Sequence, residues 1–200
     1  VLPSLAALQK RLRLSGTELK KVVVRHPQVL SYSIEANVLP SLASLQQRLG
    51  LSEAELKQVV WTSPAVLGLS IEANVFTSLE ALQERLGLSE AELKKIVLQL
   101  PAVLCYSMKK KVLPSLIGLR LRLGLSEAEV KKVVLRQPRV LGYSIEANVL
   151  PSLAALQKGL KLSDAELREV VLGHPTVLGY SIEKNVLPKL EWLQTEIALS

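Results

Sequence analysis

The chain is poor in the residues that usually carry chemistry. Cys105 is its single cysteine among 200 residues, which excludes an internal disulfide framework and a thiolate metal site and is compatible with a reducing compartment. One aspartate (Asp164) and two histidines (His26 and His174) supply no metal cluster and no nucleophile–base pair, and the ten glycines form no phosphate-cradling loop. No enzymatic activity, cofactor or small-molecule substrate is expected. Long hydrophobic runs are also missing. Although 48 % of the residues are hydrophobic, uncharged stretches such as Ile96–Met108 end after 13 residues and contain a proline, whereas a membrane-spanning helix needs roughly 20. The sequence opens on Val1 rather than on methionine, and its first residues read as neither a signal peptide nor a basic amphipathic leader.

Repetition is what the chain has instead. Val-Leu-Pro-Ser-Leu at Val1 returns in variants at Val38, Val75, Val112, Val149 and Val186, each 37 residues after the last. The spacing predicts units 1–37, 38–74, 75–111, 112–148 and 149–185 with a partial unit 186–200, in one array spanning 1–200. A unit this small cannot bury its own apolar face, so it must stack on its neighbours. The ends fall within a unit, and the expectation is a piece of a longer protein or an array whose uncapped ends meet protein partners.

Within one unit, Ile34, Val38, Leu42, Leu45 and Leu49 recur at steps of three and four and mark one face of a helix. Ser33 is a plausible N-cap, and Ala36, Leu39 and Ala43 lie on a side that can meet the next unit. Pro40 either kinks this helix or marks its true start. Gly50 ends it. Ser52-Glu-Ala-Glu55 is a capping box, repeated at Ser15, Ser89, Ser126 and Ser163, and opens a second helix with Leu56, Val59 and Val60 inward. Pro64 stops that helix, and the short segment after it reads as a turn or 3₁₀ piece. The fold class is all-α, an α-solenoid.

The segment Leu123–Leu153, with its Pro-x-Val-Leu-x-Tyr-Ser signature, closely resembles the mTERF motif, and the resemblance covers the whole chain. It implies units of two α-helices and a short 3₁₀ helix, stacked into a curved superhelix. It also implies a mitochondrial or plastid protein that binds nucleic acid, DNA or RNA, in transcription termination or regulation, RNA processing or ribosome assembly.

Charge then suggests where a partner could bind. The net charge is +7, and the stretch from Lys109 to Arg139 accounts for all of it: Lys109, Lys110, Lys111, Arg120, Arg122, Lys131, Lys132, Arg136 and Arg139 against Glu127 and Glu129. Such a placement favours a polyanionic partner. One first-helix column reads Arg11, Arg48, Arg85 and Arg122, spaced for phosphates or for a plain solvated face. On the second helix a stripe changes from unit to unit, reading Lys21/Arg25, Gln58/Thr62, Lys95/Gln99, Lys132/Arg136 and Glu169/Gly173, either by drift at solvent positions or to tune recognition, with Arg136 the best candidate for a base-edge or phosphate contact. Lys109–Lys111 replace the usual Glu-Ala-Asn at a helix start, against the helix dipole, and a bound anion would offset that cost. Tyr32, Tyr106, Tyr143 and Tyr180 share a column with Leu69 and read as packing rings. Trp61 reads as a stacking-face residue, and Trp192 lies on the outer stripe. The leading expectation is nucleic-acid binding on a basic surface centred on 109–139. The rival is a non-catalytic scaffold or linker subunit in a large organellar complex.

Overall fold

The computed structural model describes residues 2–186 together with residues 188, 189 and 192. Among these every regular element is helical. The chain divides into two compact units, Val1–Met108 and Lys109–Ser200. The first holds α1 (Leu2–Leu12), α2 (Gly16–Arg25), α3 (Leu39–Leu49), α4 (Glu53–Thr62), α5 (Thr77–Leu86) and α6 (Glu90–Gln99); the second holds α7 (Leu113–Leu123), α8 (Glu127–Arg136), α9 (Leu150–Leu160) and α10 (Asp164–Gly173). Each repeat contributes one odd-numbered and one even-numbered helix.

The even-numbered helices start as the sequence predicts. All five capping boxes carry both of their hydrogen bonds. At α4 the Ser52 amide donates to Glu55 Oε2 at 2.7 Å, and the Glu55 amide donates to Ser52 Oγ at 3.2 Å. A five-residue 3₁₀ segment follows each even helix, led by its proline, as in Pro64–Gly68 and Pro138–Gly142. Proline lacks an N–H and has a fixed φ, which suits the first position of such a segment.

The start of the odd helices corrects one reading. Ser33 stands at an N-cap position, but its side chain caps nothing. Its carbonyl accepts from the amides of Asn37 at 2.9 Å and Val38 at 3.3 Å. Residues Ile34–Val38 form a single π turn, and α3 begins behind it with Pro40 in its first turn. The open turn relieves the clash of the proline ring with the preceding carbonyls. Proline is not its only cause, because the turn Ile71–Phe76 precedes Thr77 in the proline column. Ala36 and Ala43, expected against the next unit, are both exposed.

Both sides of each helix pair are apolar for a reason. Leu45, Leu56, Val59 and Val60 are fully buried in the first unit, and Leu119, Val133, Val134 and Leu141 in the second. Each such side chain contributes about 1.5–3 kcal/mol relative to exposure. Successive 3₁₀ segments touch along the edge of each stack. α3 ends in a left-handed Gly50 at φ +56°, and the same column after α9 holds Lys161 at φ +53°.

Candidate nucleic-acid interface

The arginine column is engaged between repeats. In the second unit Arg122 of α7 donates to Gln157 Oε1 at 2.7 Å and to Asp164 Oδ1 at 3.3 Å, both in the next repeat, while Gln157 Nε2 donates to the same Asp164 oxygen at 2.8 Å. In the first unit Arg48 makes the same triangle with Gln83 and Glu90, at 3.2 and 2.6 Å, and Arg11 makes it with Gln46 and Glu53. Arg85 is half-buried and engaged as well. Arg120 takes the place that glutamine holds in other repeats and bonds Glu127 at 3.0 Å. The acids respond: Glu53, Glu90 and Asp164 are held below the ordinary carboxylate range, first by the glutamine amide and then by the guanidinium. A phosphate reaches Arg48 or Arg122 only in competition with these bonds.

A second set of joints uses the capping glutamates. Lys57 of α4 reaches Glu18 in the preceding repeat at 2.9 Å, Lys94 of α6 reaches Glu55 at 2.8 Å, and Arg168 of α10 reaches Glu129 at 2.6 Å. Lys94's bond to Glu55, followed by the Ser52 amide, pulls that carboxyl down to about 2. Glu129 is likewise lowered to about 2, by the Ser126 amide first and Arg168 second.

A third joint involves Arg136. Its guanidinium donates to the carbonyls of Leu172 and Gly173 at 2.8 Å each, so it closes the C-terminus of α10. Arg25 does the same for Trp61 and Thr62 at 2.7 and 3.0 Å, with Lys21 Nζ 5.7 Å above the Trp61 ring. The variable stripe on the second helix thus includes inter-repeat contacts.

Lys109, Lys132 and Arg139 are the members of the predicted surface that remain exposed with neither a hydrogen bond nor an ion pair. Lys110 is exposed and Lys111 half-buried, and both are engaged. The triplet lies on the π turn Met108–Val112, Lys132 lies on α8 one helical turn from Arg136, and Arg139 lies on the 3₁₀ segment that follows. The predicted surface is therefore spread over three kinds of element.

The sequence reading passed over a cleft that recurs. In the first unit the stretches Ser31–Ser41 and Leu67–Ile71 enclose about 680 Å³. In the second, Gly142–Ser152 and Leu178–Lys184 enclose about 580 Å³. Apart from Lys184, the two linings match column for column, three repeats apart. Ser33, Asn37, Ser41 and Ser70 line the first cleft, and their side chains make no hydrogen bond within the protein. The same holds for Ser144, Asn148, Ser152 and Ser181 in the second. The signal in the sequence was a set of polar columns that stay nearly constant, broken at Lys111 and Lys189. The tyrosines form part of these walls. Tyr32 Oη is 2.8 Å from His26 Nε2, and Tyr143 Oη accepts from Gln137 Nε2 at 3.2 Å. Their rings lie against Gly68 and Gly179 of the next repeat, where an added Cβ would come within 2.3 Å of the hydroxyl.

Among the described residues no group of histidine, cysteine, aspartate and glutamate could hold a metal ion, and no helix is long and apolar enough to cross a membrane. In comparison with known families, the family model described as mTERF matches residues 7–198, nearly the whole chain. No curated protein matches significantly.

Proposed function

The chain belongs to the mTERF family, and from that premise we propose that it is a non-catalytic, nucleic-acid-binding protein of a mitochondrion or plastid, acting in transcription termination or regulation, RNA processing or ribosome assembly. Affinity comes from phosphate neutralisation by the basic stretch 109–139. The observation that carries this reading is the fate of the cations. Arg11, Arg48, Arg120, Arg122 and Arg136 are bonded inside the array, and the exposed charge of Lys109, Lys132 and Arg139 stands in the one stretch that holds the whole net charge.

The test is fluorescence anisotropy with labelled DNA and RNA across a salt series. Affinity falls steeply with salt, and Lys109/Lys110/Lys111→Glu weakens it at every sequence and flattens the slope by roughly 0.7–0.9 per lost phosphate contact. Absence of binding to any nucleic acid at low salt sinks the proposal.

One observation favours a second reading, a scaffold subunit. Ile117 and Leu121 on α7 are 42 % and 70 % exposed, in columns that elsewhere hold alanine or glutamate and lysine, glutamine, glutamate or threonine. A stable protein complex that persists after nucleic acid is digested, and is lost on Ile117→Glu/Leu121→Gln, supports that role.

A further inference from the structure

We propose that each of the two inter-repeat clefts is a nucleobase pocket, so that the nucleic acid is bound as a single strand, one base to a cleft. This rests on the chain being a nucleic-acid binder and goes on to say in what form the ligand is held and where it is read. Three observations converge on it.

The first is leftover hydrogen-bonding capacity. The serines of the capping boxes, the glutamines of the arginine triangles and the capping glutamates all have protein partners. Ser33, Asn37, Ser41 and Ser70 in the first cleft and Ser144, Asn148, Ser152 and Ser181 in the second have none, although Ser33, Ser70 and Ser144 stand at N-cap positions where capping was open to them. Asparagine and serine side chains offer neutral donors and acceptors, the chemistry that matches a base edge.

The second is charge. No ionisable acid or base other than tyrosine lines the first cleft, and Lys184 is the one cation lining the second. A neutral polar lining disfavours a phosphate as the occupant, and a partly polar one disfavours a purely apolar ligand. Lys184 places positive charge at the second cleft, where the backbone of a strand would run.

The third is shape. Cavities of 300–1,000 Å³ suit small organic groups, and both clefts fall in that range. Their walls are held open, because Tyr32 and Tyr143 are tied by hydrogen bonds and seated on Gly68 and Gly179. In a duplex the Watson–Crick edge is paired and the faces are stacked, so entry requires an unpaired base. Because Ser33, Asn37, Ser41 and Ser70 have identical counterparts in Ser144, Asn148, Ser152 and Ser181, both clefts favour the same base.

The experiment uses the full chain and ten-nucleotide homopolymers of RNA and DNA, with a 20-base-pair duplex as competitor, read by anisotropy. Single strands bind more tightly than the duplex, with a preference for one base. Asn148→Ala/Ser152→Ala and Asn37→Ala/Ser41→Ala each lower single-strand affinity about fivefold. They reduce the base preference while leaving the salt slope unchanged. Circular dichroism confirms that these variants are folded. Equal affinity for duplex and single strand, or cleft variants that bind with unaltered affinity and preference, overturns the base pockets and leaves nucleic-acid binding intact. Loss of all nucleic-acid binding in the parent chain at low salt instead removes the premise.

Discussion

Replacing Gly68 by alanine should expose how tightly adjacent repeats fit. The new Cβ would lie 2.3 Å from Tyr32 Oη and 2.8 Å from Cζ, against ordinary contacts of 3.4–4 Å. The ring must therefore withdraw by roughly an ångström or strain its surroundings, and overpacking of this kind costs about 1–3 kcal/mol. Withdrawal is resisted by the bond to His26 Nε2 at 2.8 Å, whose loss costs about 0.5–1.5 kcal/mol. We expect Gly68→Ala to destabilise the chain by about 1–3 kcal/mol, a fall in Tm of about 2–4 °C for each kcal/mol at this length. Tyr32→Leu should absorb the extra methyl, because the protein already uses that combination: Leu69 stands in the tyrosine column and Cys105 follows it in the glycine column. Urea titrations of the wild type, both single variants and the double variant close a cycle, with an expected coupling of at least about 1 kcal/mol. Additive single effects would refute the argument, since they would mean that the ring and the glycine do not meet.

Two further outcomes follow from backbone and charge. Lys161→Gly should stabilise the chain by about 1–2 kcal/mol, the cost of a left-handed conformation in a residue with a Cβ, and an unchanged or lower urea midpoint would contradict it. Lys94 and Arg168 together with the capping amides hold Glu55 and Glu129 at about 2, below the ordinary 4.5 of a glutamate, so their contribution is present above pH 4.5 and is lost as pH falls from there towards 2. The urea midpoint should therefore drop between pH 5 and pH 2.5, and drop less in Glu55→Gln/Glu129→Gln; identical acid limbs in the two proteins would contradict the assignment.

Local signals made most of the fold legible. The apolar columns at Leu42, Leu45 and Leu49, the capping boxes and the proline-led third segment all act within a few residues, and each stands where its chemistry places it. The site was harder to read because its partners are distant in the chain. A helical wheel puts Arg48 on a solvent stripe, yet Gln83 and Glu90 of the next repeat lie over it. The clue was an acidic column 42 residues after the arginines, at Glu53, Glu90, Glu127 and Asp164. The tyrosine–glycine pairing left a similar trace, since Tyr32, Tyr106 and Tyr143 are each followed 36 residues later by glycine. The cleft was missed for another reason: Ser33 resembles a cap, and only the open π turn shows that its hydroxyl is left unused.

The glutamates of the capping boxes have a consequence for the life of the chain as it is made. Glu55 closes the first turn of its own helix and also receives Lys94 from the following repeat. While a ribosome is still producing that repeat, the carboxylate lacks its second partner, so the most recently completed helix start is always the least secured. Its strengthening comes one repeat late, from sequence not yet emerged. An array joined in this way settles from behind its growing end, and a stalled nascent chain should be most open to proteases at the last repeat whose successor has yet to appear.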